Sequence, residues 1–152
     1  MANRGIWSLF GSNPTTVITG AQLNGLGIGA MTTAGATYSN QTNLDLYCDL
    51  EVFLDTLTPV APAYVAIYIL IALDGTNFPG QSAADLRLTS TQLFCVLPIG
   101  TTASTAQRVA ARNLLLPAQP CQFRLDNQTG VAIPSNNNSF VKIDAYSYNL
   151  NG

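Results

Sequence analysis

Residues 44–73, LDLYCDLEVFLDTLTPVAPAYVAIYILIAL, set the terms for the rest of the chain, because they read as two extended segments joined by a proline-rich connection. In the first, Leu44, Leu46, Cys48, Leu50, Val52 and Leu54 recur with period two, while Asp45, Tyr47, Asp49, Glu51, Phe53 and Asp55 alternate with them. Side chains point to opposite faces along a strand, so one face belongs to a core and the other to solvent. The second segment, residues 64–73, is apolar on both parities, as expected of a central strand covered on both faces, by a second sheet on one side and by another subunit on the other. Pro59 and Pro62 cannot donate to a ladder and place the connection outside the sheet.

A chain of 152 residues suffices for one domain with a real core. Six basic and eight acidic residues leave a net charge of -2, without the basic footprint of a protein that grips phosphates, so no direct nucleic-acid partner is expected. The longest apolar run is about half of what a helix needs to cross a bilayer, and the interrupted N-terminus MANRGIWSLFGSNPTT reads as neither leader nor membrane span. Histidine is absent, which removes Ser-His-Asp, Cys-His and His-based metal centres. Cys48, Cys95 and Cys121 are odd in number and far apart; they read as small buried hydrophobes. The sequons at Asn40, Asn127 and Asn137 are expected to be unused.

Along the chain, residues 1–14 form an arm carrying Ile6, Trp7, Leu9 and Phe10 without periodicity, and residues 15–152 form the domain. Exposed side chains of that size signal contact, either with the arm's own domain or with a neighbour. GLGIG, within the Gly/Ala/Thr-rich residues 20–39, lacks the order and setting of a phosphate loop and reads as small-residue backbone, with residues 32–38 able to enter a sheet. Asp74 and Asn77 lie in a turn-rich loop where the spacing fits an ordinary turn better than calcium. Residues 86–99 supply one or two strands. Residues 104–116 admit two readings, a capping box from Ser104 to Gln107 opening a helix, or a strand; the surrounding elements favour strand. Toward the end, Cys121, Phe123 and Leu125 alternate with polar neighbours, a turn follows at residues 127–130, and Val141, Ile143 and Ala145 face away from Phe140, Lys142, Asp144 and Tyr146. Both final strands read as compatible with sheet edges. The whole predicts an all-β fold, a single antiparallel β-sandwich of jelly-roll type.

Chemistry-bearing constellations are few. Asp49 and Glu51 share a strand face at roughly 6.5–7 Å, a separation open to paired-carboxylate hydrolysis, but nothing here specifies a cleft and an exposed strand face accounts for them better. Tyr47, Phe53, Tyr146 and Tyr148 are candidates for an aromatic platform that would hold a sugar. No enzyme and no cofactor is expected.

Within the last third, LLLP, a Pro turn, the CQFRL strand, the turn DNQTGVAIP, a small polar loop and a closing strand ending in aromatics follow in order. Together with YVAIYILIALDGTNFPG, this order resembles the small β-sandwich virion proteins of tailed double-stranded DNA phages, over a little more than half of the chain. The resemblance implies a structural protein of the virion that decorates or cements the capsid, or sits elsewhere on the particle at tail or fibre. Its expected partners are copies of itself, with a trimer favoured, and the major capsid protein or other virion proteins. On that reading Ile6, Trp7, Leu9 and Phe10 are the assembly contact; the alternative is a carbohydrate-binding module.

Overall fold

The computed structural model describes residues 14–79 and 92–147. Among these residues, seven strands and one short helix follow in order: β1 (Thr15–Ile18), α1 (Gly20–Leu23), β2 (Tyr47–Leu57), β3 (Tyr64–Ile71), β4 (Leu93–Pro98), β5 (Thr105–Leu115), β6 (Cys121–Gln128) and β7 (Phe140–Tyr146). They form two antiparallel sheets, β1-β7-β2-β5 and β4-β3-β6, packed as a sandwich. The all-β expectation is met.

Alternation builds the core. Cys48, Leu50, Val52 and Leu54 of β2 turn inward beside Val141 and Ile143 of β7, and meet Val65 and Ile67 of β3 and Cys121, Phe123 and Leu125 of β6, all at most 1% exposed. Phe94 and Phe123 meet edge to face, with ring centroids 5.5 Å apart. Aromatic pairs favour this geometry, because a positive ring edge meets a negative face.

Residues 30–38 run beside β6 as an irregular extra strand. Thr32, Gly35 and Tyr38 donate their N–H groups to the carbonyls of Leu125, Phe123 and Cys121, and Asn127 donates to Ala30. At Gly35 the segment passes between the sheets: a Cβ there would stand 1.9 Å from the Val17 carbonyl oxygen, so no larger residue fits. Ala36 donates to the same carbonyl, which ties β1 of one sheet to the flank of β6 in the other.

Several expectations need correction. Leu44 and Leu46 share the parity of the β2 core residues but precede the strand and are mostly exposed. Asn40 accepts from the Asp45 N–H and donates to the Asp45 carbonyl, which turns the chain before it can enter the sheet. Leu73 likewise falls beyond β3 and is exposed. The second face of β3 is covered partly by the chain itself, since Met31, Ala34 and Phe78 pack with Tyr68 and Leu70. Nor is β7 an edge; it lies between β1 and β2. Residues 104–116 form β5 as favoured, and the Gln107 amide bonds the Thr105 hydroxyl at 2.8 Å instead of closing a box on Ser104.

Candidate functional site

The outer face of the four-stranded sheet concentrates what charge the protein has. Cross-strand register places Tyr47 opposite Tyr146, Asp49 opposite Asp144, Glu51 opposite Lys142 and Phe53 opposite Phe140, with Arg108 of β5 opposite Phe53 on its other side. Three of the six basic residues, Arg108, Arg112 and Lys142, and three of the eight acidic ones, Asp49, Glu51 and Asp144, line one shallow concavity of about 520 Å³.

Within it the charges are largely matched to each other. Arg108 pairs with Glu51, and its guanidinium lies 5.0 Å from the Phe53 ring centroid and 5.9 Å from that of Phe140. Lys142 Nζ stands 4.4 Å from the Phe140 centroid, a cation held by the negative face of the ring. The phenylalanine rings themselves stack at 5.2 Å, and Tyr47 and Tyr146 at 6.1 Å.

Asp49 departs from the simple alternation. Although its parity points outward, it is 7% exposed, because β5 shifts register opposite residues 48–50 and Asn113, at φ 56°, folds over it. Its Oδ1 accepts from the Asn113 N–H at 2.9 Å and lies 3.0 Å from the Tyr146 hydroxyl. That hydroxyl is also 2.6 Å from Asn113 Oδ1, and with one proton it donates to one oxygen at a time. Asp49 Oδ2 accepts no hydrogen bond; Arg112 Nε stands 3.9 Å away, so its compensation is Coulombic.

Of the proposed sugar platform, Tyr47, Phe53 and Tyr146 share this face, while Tyr148 lies outside the described residues, as do Ile6, Trp7, Leu9 and Phe10 of the arm. The face of Phe53 is taken by Arg108, and the hydroxyl of Tyr146 by Asp49 and Asn113. Asp49 and Glu51 are both held in pairings, Asp49 with Asn113 and Tyr146 and Glu51 with Arg108. Sequence reasoning passed over Arg108, Arg112, Asn113 and Lys142; spacing carries no signal for them, since their roles come from pairing between strands far apart in the chain.

The two ends of the sandwich differ. Where β2 ends and β7 begins, Asp55 accepts from Asn136 at 2.6 Å and Asn138 at 2.9 Å, bonds that lower its pKa, and Asn24 holds the backbone of Asn137. At the opposite end lie Leu44, Leu46, Leu73 and Leu115, all more than half exposed. Asp74, in a loop there, accepts from the N–H groups of Thr76 and Asn77 and from the Asn77 amide, which holds its pKa down at about 2. Those bonds build the ordinary turn. Asn40 and Asn127 are buried with their amide nitrogens bonded to carbonyls, so neither sequon can carry a glycan in the folded protein. Cys48 and Cys121 are buried and Cys95 half-buried, and burial pushes their pKa values up to about 12, 12 and 11, which keeps the thiols protonated at neutral pH. Among the described residues no cluster of potential ligands fits a metal, and no helix is long and apolar enough to cross a membrane. Neither a protein-family model nor a curated protein nor a solved structure matches this chain.

Proposed function

We propose that this chain is a non-enzymatic structural component of a phage particle, a capsid decoration or cement protein on a jelly roll. It works as a homo-oligomer, with a trimer favoured, in contact with the major capsid protein. The strand order supports the reading. With residues 30–38 counted as an irregular strand beside β6, the sheets run β1-β7-β2-β5 and 30–38-β6-β3-β4. That order agrees with the double Greek key of jelly rolls, a fold that serves both viral capsids and lectins.

Between those two uses, the ring faces favour the structural one. A sugar platform presents aromatic faces to its ligand, whereas Arg108 and Lys142 cover the phenylalanine faces here. Purified particles of the encoding phage should contain the chain at a fixed ratio to the major capsid protein by mass spectrometry, and recombinant protein should co-sediment with shells stripped of it. Saturable binding on a glycan array, lost on Tyr47→Ala or Tyr146→Ala, together with absence from particles, would exchange this reading for the carbohydrate-binding one.

A further inference from the structure

The end of the sandwich bearing Leu44, Leu46, Leu73 and Leu115 is apolar with an acidic rim, and we infer that it docks on a different protein whose surface is apolar at its centre and ringed by lysine or arginine. This inference rests on the structural reading above and names the chemistry of the partner.

Isolated exposed leucines are ordinary on soluble proteins; a group of them on adjoining loops is not. Leu73 is 83% exposed and Leu115 73%, and they belong with Leu44 and Leu46 to loops that are tied together. Leu116 donates to the Leu46 carbonyl at 3.0 Å, the Asn40 amide reaches the carbonyls of Asp45 and Pro117, and Ala72 donates to the Pro120 carbonyl at 3.0 Å. The leucines therefore sit on a braced frame.

Leu44 is turned outward by its own loop. Its φ is 52°, a left-handed conformation that its Cβ disfavours, yet its side chain is 58% exposed and gains little packing in return. The turn itself holds that conformation, since the Leu44 N–H donates to the Asn40 carbonyl at 2.9 Å, and it leaves the side chain exposed next to Leu46.

Charge selects the partner. Among the described loop residues at this end, 39–46, 72–79 and 116–120, the charged ones are Asp45 and Asp74. The Asp74 carboxylate is held ionised by its turn bonds, so two copies meeting through this end would bring like charges together, while a cationic rim would complement them. Four leucines also fall short of the roughly 800 Å² that a stable pair buries on each partner. Such a contact suits a surface that presents many equivalent sites, where several weak attachments act at once.

The test uses purified full-length protein on three resins, carrying alkylammonium, neutral alkyl or alkyl carboxylate groups. Wild type should be held longest on alkylammonium. L46S/L115S should lose retention severalfold, and Leu73→Ser should lose it in part, while Val60→Ser at the opposite end behaves as wild type. Asp45→Asn should weaken retention on alkylammonium alone, more than Asp55→Asn, which changes net charge equally at the far end. Unaltered retention of both leucine variants would overturn the inference. So would self-association in sedimentation velocity, or binding to phosphatidylcholine vesicles, that L46S/L115S abolishes; the first would assign this end to a second copy and the second to lipid. Because the resins need no phage, absence of the chain from particles with the resin pattern intact would sink the phage reading alone. Unchanged attachment of L46S/L115S to shells would sink the docking end alone.

Discussion

Single side chains in this protein differ sharply in what they hold. Phe123 is fully buried between the sheets, and Phe123→Ala removes both transfer energy and packing, with an expected loss of about 3–5 kcal/mol in urea denaturation. Asn127 is the polar counterpart, with its amide donating to Leu26, Gly27 and Val131 and its carbonyl accepting from Thr129. Asn127→Asp keeps the shape but turns donors into acceptors facing carbonyls, so it should cost more than Asn127→Ala; the reverse order in denaturation would contradict the assigned bonds. Thiols report on pH. Cys48 would ionise near 9 when unfolded and holds its proton to about 12 when folded, so the stability linked to it is whole below pH 9 and is lost as pH rises toward 12. The acid side has the opposite sign: the Asp74 pKa is lowered from 3.8 to about 2, so its contribution is present above pH 3.8 and fades as pH falls toward 2. Thermal midpoints across pH should follow both slopes, with the alkaline one reduced in Cys48→Ala and the acid one in Asp74→Asn.

At the scale of elements, the register shift of β5 against β2 is what buries Asp49. Asn113 adopts φ 56°, a conformation asparagine tolerates better than most residues, and so brings its N–H onto the carboxylate. Asn113→Val should destabilise by roughly 1–2 kcal/mol through the left-handed backbone alone, and Asn113→Gly by less. Tyr146→Phe deletes one hydroxyl and should cost about 1 kcal/mol. In a double-mutant cycle, Asn113→Gly and Tyr146→Phe should couple, since both act on Asp49; strict additivity in chemical denaturation would mean that the three do not form one unit. The same shift aligns Arg108 with Phe53, Phe140 and Glu51, so a repair of the irregularity would disperse the charged face as well.

For the molecule as a whole, the described residues begin at Pro14, next to the concavity, and the arm that precedes it lies outside them. Full desolvation of Ile6, Trp7, Leu9 and Phe10 would contribute about 1.5–3 kcal/mol each, against about 0–1 for an exposed ion pair. Deleting residues 1–10 should therefore leave the sandwich folded, with an unchanged circular dichroism spectrum, and weaken retention on the shell. Binding of the full chain should fall only modestly with added salt, because salt screens the contribution of Asp45 and Asp74 and leaves the leucine and arm contacts in place. Equal affinity of full-length and truncated protein would remove the arm from the assembly.

Period two in residues 47–57 and 140–146 determined from the sequence alone which side chains face the core, since a strand has two faces and the apolar set occupies one. The two-sided apolarity of residues 64–71 likewise marked β3 as central, and the placement of the cysteines among apolar neighbours marked them as packing residues. Periodicity could not tell where the alternation stops being a strand: Leu44 and Leu46 continue the β2 pattern yet stand exposed, because the hydrogen bonds of Asn40 turn the chain first. Nor could it place residues 30–38 along β6, bury Asp49 beneath Asn113 or set Arg108 over Phe53. Each of these depends on a register between strands distant in the chain, and such a register is decided when the two sheets pack, by close approaches such as that at Gly35 and by the need to satisfy buried polar groups.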